Sequence, residues 1–168
     1  FRSYMSKLQQ NLKENKNRMK RKKFLSALDS KFSDFLSNAE FSSDASCLKY
    51  AAFPARDNKA TVQTTTRGEV VNWNNFTFKT WHELISVLEK FQQIKNYIGW
   101  FFVDTDGPYY KVSVNAFLSH IKSISNYGIT HEHYDFGWVG AEDDVGIIIE
   151  YNHISSTSNK FEVSVWGI

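Results

Sequence analysis

Apolar residues in the first forty positions recur at spacings of three, four and seven. This pattern predicts helix, because residues three and four apart lie on the same helical face. A polar run over residues 13–23 separates two helical stretches, of which the second is amphipathic. Because basic side chains point in every direction around the polar run, we expect this part either to fray or to project into solvent. The apolar positions are Leu8, Leu12, Phe24, Leu25, Leu28, Phe32, Phe35 and Leu36.

The helical period is lost over residues 40–76, which are rich in Ser, Ala, Asn and Thr. Two short segments, residues 60–66 and 69–73, flank a turn at Arg67-Gly68. Their composition and the turn between them predict edge strands.

The remaining chain alternates between helical and strand patterns. Thr80 and Glu83 have the spacing of a capping box, and the apolar face that follows predicts a helix of about four turns, through Ile94. A second helix is expected to begin at Asn115 and to end at Gly128, because glycine supplies a left-handed closing residue. Five strands are predicted, at residues 97–103, 109–114, 129–139, 145–153 and 161–167.

This order predicts an α+β fold with a largely antiparallel, five-stranded sheet and helices on one face. The 168 residues suit a single domain, with residues 1–40 as a basic helical segment and residues 77–168 as the α+β core. A domain of this size buries enough surface to fold without disulfides or structural metal.

The cysteine count and the apolar runs indicate which cellular compartment to expect and whether a segment could cross a membrane. Cys47 is the only cysteine, so no intramolecular disulfide can form, and a reducing cytoplasm is expected. The longest apolar runs fall far short of the roughly 20 residues that a membrane-spanning helix needs, and no membrane partner is expected.

Charge is divided unequally along the chain. Residues 1–23 contain nine of the 20 basic residues and one of the 18 acidic ones, which gives this segment a charge of +8 and the remainder −6. No Lys or Arg occurs between Lys122 and Lys160, although that interval contains six acidic residues. Such a field attracts a basic partner and repels nucleic acid, unless these acids only form a solvated rim.

Aromatic residues near these acids suggest a contact surface. Buried aromatic anchors supply affinity at protein interfaces, and charged rims steer association. Trp138 is the candidate anchor, and most of the other aromatics in predicted strands are expected in the core. The candidate partner-binding residues are Glu132, Asp135, Trp138, Glu142, Asp143 and Asp144.

Metal-dependent catalysis is an alternative. On a strand, His131, His133 and Asp135 would share one face, and two imidazoles with a carboxylate can hold zinc or iron. None of the other histidines has a known ligand spacing, so a solvated polar strand face is the simpler interpretation, and no cofactor is expected. Cys47 lacks the surroundings of a nucleophile motif and is expected to be a structural thiol.

The basic N-terminal segment could instead bind nucleic acid. Nine positive charges would give binding with a steep salt dependence. The run is not interleaved with aromatics and no recognised nucleic-acid module surrounds it, so this interpretation is less favoured than a solvated helix face or pairing with the acidic body.

The C-terminal half contains an aromatic hairpin strand at residues 97–103 (YIGWFFV), a helix, and the segments 134–138 (YDFGW) and 147–153 (IIIEYNH). In these segments the chain resembles small bacterial immunity proteins of contact-dependent or other polymorphic toxin systems. It implies a cytosolic protein that binds a cognate toxin and blocks its active site. Many such toxins are nucleases, whose basic substrate cleft would be attracted to a carboxylate-rich surface.

We therefore expect a non-enzymatic immunity protein that binds a basic toxin, such as a nuclease, through the acidic, aromatic surface. Two alternatives stay open: a metal-dependent hydrolase or nuclease toxin that uses His131, His133 and Asp135, and a nucleic-acid-associated protein that uses the basic segment. The oligomeric state does not follow from the sequence.

Overall fold

The first helix, α1, is continuous across the polar run that the sequence predicted to fray or project. The computed structural model describes residues 2–49, 75–78, 86, 88, 95–131, 135–155 and 158–167. In this structure α1 spans Arg2–Ala27. Two of its basic side chains have partners in the body. Lys20 forms a 2.8 Å ion pair with Asp104, and the Arg21 guanidinium lies 4.6 Å from the centre of the Phe41 ring.

The second helix, α2, spans Ser30–Ser37 and is amphipathic, as its sequence predicts. It begins where the Asp29 carboxylate accepts a 3.0 Å hydrogen bond from the backbone N–H of Phe32, which satisfies a donor of the first turn. Phe32 and Leu36 lie one turn apart and are both buried. Together, α1 and α2 confirm the helical N-terminal segment.

The predicted aromatic hairpin is present. Strand β3 (Ile98–Phe102) pairs antiparallel with β4 (Tyr109–Ser113), so that Phe101 faces Tyr110 across the ladder. In the connecting turn, Gly107 has φ of 84°, a left-handed conformation that favours glycine, and its N–H donates to the carbonyl oxygen of Asp104 at 2.8 Å.

The helical region after β4 differs from the prediction in its boundaries. Helix α3 spans Val114–Ser119 and is capped by the Ser113 hydroxyl rather than by Asn115. Helix α4 spans Ile121–His131 and therefore continues through Gly128. Glycine lowers helix stability but does not end a helix whose apolar side chains, here Ile121 and Ile124, are buried.

Within the described residues the sheet has seven strands in the order β1-β4-β3-β5-β6-β7-β2, and every neighbouring pair is antiparallel. The five predicted strands are among them, although β5 begins at Phe136 and not near residue 129. The two further strands lie at the edges. The remaining bounds are β1 Glu40–Ser42, β2 Asn75–Phe78, β5 Phe136–Gly140, β6 Gly146–Ser155 and β7 Ser158–Trp166.

Helices pack on one face of the sheet, as predicted. The core on this face is made of apolar side chains from α1 to α4 and from the sheet strands. Its largest fully buried members are Trp138, Tyr110, Phe32, Phe101 and Phe117. The α+β class is therefore confirmed.

The opposite face of the sheet is also buried. Trp100, Phe102, Tyr109, Val139 and Trp166 form a second apolar cluster there, and each is at most 8% exposed. Cys47, the last residue of a 3-10 turn at Ala45–Cys47, and the following Leu48 pack against this cluster. The sheet thus has apolar residues on both faces, which accounts for the continuous apolar character of its central strands.

Several predicted elements fall wholly or mostly outside the described residues. These are the edge strands at 60–66 and 69–73 and the helix after Thr80. From that helix the structure describes Ser86 and Leu88, which are both helical, and Leu88 is buried in the core on the helical face.

Candidate functional site

Three consecutive acidic residues, Glu142, Asp143 and Asp144, form the turn between β5 and β6, which we call the acidic turn. The backbone around them is held by three hydrogen bonds. Gly140 donates to Val145 at 2.8 Å, Val145 donates to Asp143 at 2.9 Å, and Ala141 donates to Ile98 on β3 at 3.0 Å. A Cβ on Gly140 would collide with the Asp143 carbonyl oxygen, so the close approach requires glycine there.

The three carboxylates of the acidic turn have different surroundings. Glu142 and Asp143 are exposed. Glu142 has a 3.4 Å contact with Lys49, but both side chains are largely exposed, so this pair contributes little to stability. Asp144 is half-buried and accepts a 3.0 Å hydrogen bond from the Trp166 indole N–H. Asp144 therefore anchors the turn, while the other two face solvent.

Trp138 is not an exposed anchor. Its side chain is fully buried on the helical face of the sheet, and its indole N–H donates a 3.0 Å hydrogen bond to the Val112 carbonyl oxygen. The expectation that Trp138 contacts a partner is therefore wrong. Period-two alternation placed Trp138 on one face of a strand, but it did not show that this face carries helices.

The predicted acidic surface is not continuous. Asp135 is exposed and lies just before β5, whereas the acidic turn follows the other end of that strand. Five residues of strand extend about 17 Å, which separates the two positions. Asp135 instead lines a cavity of about 190 Å³ that Asp104 also lines. Glu132 lies outside the described residues.

Two of the three proposed metal ligands, His131 and Asp135, do not lie on a strand. His131 is the last residue of α4, its ring stacks on Tyr127 at 4.4 Å, and its Nδ1 lies 3.0 Å from the Tyr127 carbonyl oxygen. Asp135 lies outside any strand, and His133 is not among the described residues. The described part of the chain contains no group of three or more His, Cys, Asp or Glu residues arranged to hold a metal.

Cys47 does not have the surroundings of an activated nucleophile. Burial has the largest effect and raises the pKa of the Cys47 thiol. The hydrogen bond with the Ser42 hydroxyl lowers this pKa, whereas the negative charge of the nearby Asp44 carboxylate raises it. Reactive cysteines have the opposite arrangement, a lowered pKa beside positive charge.

Helix α1 presents most of its charge to solvent. A cavity of about 620 Å³ lies between α1 and β1, and its lining mixes Lys13, Arg18 and Arg21 with Glu14 and Asp44. None of the helices in the described ranges is sufficiently long and apolar to span a membrane.

The sequence prediction missed one exposed feature of α1. Met5, Leu8, Leu12 and Met19 are between 43% and 75% exposed, although their spacing is that of an apolar helix face. Leu8 and Leu12 were assigned to a predicted apolar face, and the inclusion of the two methionines would have revealed a longer row.

Comparisons with known proteins give one finding. No curated protein and no solved structure matches the chain. The model of the YokC prophage protein family matches residues 2–155. Because this match covers most of the 168 residues, the chain belongs to the YokC prophage protein family.

Proposed function

We propose that this chain is a non-catalytic immunity protein that binds and neutralises a cognate toxin, with the acidic turn as a contact site. The observation that carries the proposal is the rigid presentation of two exposed carboxylates, Glu142 and Asp143, on a turn held by the sheet. Membership in a prophage protein family is compatible with a toxin and immunity pair encoded together.

The fixed turn is suited to binding because its backbone is already ordered. A partner that pairs with Glu142 and Asp143 does not have to immobilise the loop, so less of the interaction free energy is lost on association. Two adjacent carboxylates in a segment without nearby basic residues in the sequence also attract a basic protein over long range. The toxin that fits this surface is therefore basic, as a nuclease is.

The structure changes the set of contact residues that we propose. Glu142 and Asp143 make the direct contacts, and Asp144 positions them through its bond to Trp166. Trp138 is no longer among the proposed contact residues because its side chain is buried. Asp135 belongs to a separate surface near Asp104.

A charge reversal tests this function. The probe is the product of the reading frame next to the gene for this chain, which is expressed in a bacterial host with and without the protein while survival is counted. We expect the chain to restore growth. Asp143→Lys should slow association with the purified toxin domain and weaken the dependence of the rate on salt, because steering acts mainly on association.

The matched control is Asp34→Lys, which makes the same charge change at an exposed position of α2. The control should associate like the unchanged protein. Equal association rates for Asp143→Lys and the unchanged protein would remove the acidic turn from the interface. A chain that fails to protect against the adjacent toxin would refute the immunity function itself.

A further inference from the structure

Much of the first half of α1 is helical although its side chains are exposed. Every residue from Tyr4 to Lys16 is exposed, and the next residue, Asn17, is buried. Isolated helices of this length are marginal in water, and most helices in proteins are stabilised by packing of an apolar face. The exposed apolar residues of this half are therefore available to a partner.

The exposed apolar residues follow a heptad spacing. Met5, Leu8, Leu12 and Met19 occupy consecutive a, d, a and a positions, and Asn15 occupies the d position between the last two. At 3.6 residues per turn, the four apolar residues fall within about 60° of one another around the helix. We call this row the α1 seam.

The α1 seam lies nearly opposite the face that packs on the body. Asn17 and Phe24, which are both buried, occupy the f positions of two consecutive heptads in this register, and f lies across the helix from a and d. The structure thus uses one face of α1 for folding and leaves the other exposed. A second element can cover the seam while the buried f-position side chains keep their packing on the body.

The seam is narrow, and its width indicates the kind of partner. Helices that pack on a protein core bury an apolar face of roughly 100° or more, whereas a row restricted to a and d positions is the narrower seam typical of helix pairing. Asn15, at a d position, is a polar interruption of this row. The narrow width of the seam favours pairing with a single helix.

The charges beside the seam select the partner helix. The flanking e and g positions are neutral or basic, and Glu14 lies outside them. In a pair of identical chains, parallel or antiparallel, basic residues would face basic residues, which opposes self-association. A helix with acidic flanking residues would instead gain complementary pairs. The flanking residues are Tyr4, Gln9, Asn11, Lys16, Arg18 and Lys23.

We infer that the α1 seam docks an acidic amphipathic helix of another protein in a short heterodimeric coiled coil. Met5, Leu8, Leu12 and Met19 supply the apolar contact, and Lys16 and Arg18 supply the charge selection. This surface is separate from the acidic turn, so the inference does not depend on the proposed immunity function.

The test uses the full chain and two labelled synthetic peptides of three heptads. Both peptides carry leucine at a and d, with asparagine at the position that faces Asn15. One has glutamate at every e and g position, and the other has lysine there. Fluorescence anisotropy measures binding of each peptide. We expect the glutamate peptide to bind and to bind less tightly as salt is raised, and the lysine peptide not to bind.

A double substitution, Leu8→Gln with Leu12→Gln, removes the central apolar contacts while it keeps good helix formers. We expect it to weaken binding of the glutamate peptide at least about tenfold, since central apolar anchors carry most of the affinity at an interface. The control, Gln10→Ala, changes an f position away from the seam and should bind normally. Circular dichroism and thermal melting establish that both variants are folded.

Three outcomes would overturn the inference. The first is equal binding of the two peptides, or binding that the double substitution does not change. The second is a concentration-dependent dimer of the unchanged chain that the double substitution abolishes, which would identify a second copy as the occupant. The third is co-sedimentation with vesicles of phosphatidylglycerol and phosphatidylcholine that depends on the seam, with no binding of the glutamate peptide.

Discussion

The indole nitrogen of Trp138 on β5 lies 3.0 Å from the carbonyl oxygen of Val112 on β4, although β3 runs between these two strands. The side chain of Trp138 crosses β3 at Gly99, where a Cβ atom would collide with the indole ring and with the Val139 carbonyl oxygen. Glycine is therefore required at this crossing, because any larger residue would occupy the space of the ring.

Gly99→Ala should destabilise the protein by about 1–3 kcal/mol, the usual cost of overpacking a core. The obstructing Val139 oxygen belongs to the backbone of the neighbouring strand, so it cannot move without disturbing the ladder. Urea unfolding measures the loss. Ile98→Val, at a half-exposed position on the same strand, should change the unfolding free energy by less than about 0.5 kcal/mol. A stable Gly99→Ala variant would contradict the crossing geometry.

Asp144→Ala should lower the free energy of unfolding by about 1–3 kcal/mol, because it removes the charged acceptor of the Trp166 indole N–H. Asp144→Asn retains an acceptor oxygen and should lose less. Chemical denaturation followed by tryptophan fluorescence provides the measurement. Asp143→Ala, at the exposed neighbouring position, is the matched control and should be neutral within about 0.5 kcal/mol. Equal losses in Asp144→Ala and Asp143→Ala would refute the anchoring role of Asp144.

His120 should make the protein less stable as the pH falls from 7.5 to about 5.5. Its ring stacks on Phe32 at 4.5 Å, and burial lowers the pKa of the imidazole, a shift that Asp29 opposes and Lys31 supports. The unfolded chain therefore binds this proton more readily than the folded one. The stability present above the ordinary pKa of 6.5 is then lost as the pH falls towards the lowered value.

The His120→Gln variant isolates this contribution. Its unfolding free energy, measured by urea denaturation at several pH values, should vary less across this range than that of the unchanged protein. The lowered pKa values of Asp29 and Asp44 act in a different range, because their stabilisation is lost only below the ordinary carboxyl value of 3.8. Identical pH profiles for the two proteins would show that His120 does not titrate as described.

Cys47 should react more slowly with Ellman's reagent in the folded protein than after unfolding at the same pH. Burial raises the pKa of the thiol, and Asp44 raises it further, so less thiolate is present to react. Asp44→Asn should accelerate the reaction while it keeps an oxygen that can accept from the Ser46 N–H. Asp34→Asn, on α2, is the control and should leave the rate unchanged. Because Cys47 is the only cysteine, absorbance reports this site alone.

The sequence was sufficient to predict the class and the central strands, because their apolar runs and turn residues are local signals. It misplaced the end of α4, where Gly128 resembles a stop signal. The burial of neighbouring apolar side chains outweighs the low helix propensity of glycine. The short edge strand β1 was not predicted, because three residues carry too little pattern to distinguish a strand from a loop.

The candidate site depended on contacts between distant residues and was therefore predicted less well. Alternation along β5 could not show which face of the sheet the helices cover, so Trp138 was placed on the surface. The separation of Asp135 from the acidic turn follows from the direction and length of β5, whose start the sequence placed too early. The acids at 142–144 fall between two predicted strands, 129–139 and 145–153, and they share one turn because they are neighbours in the chain.

The short outer strands of the sheet limit how another protein can attach. Within the described residues, β1 has three residues and β2 has four, so these two margins offer few backbone donors and acceptors to an incoming extended segment. The small number of unpaired backbone groups also disfavours edge-to-edge assembly of the sheet into fibres. Recognition by this protein is consequently expected to proceed through side chains on turns and helices, and not through addition of a foreign strand.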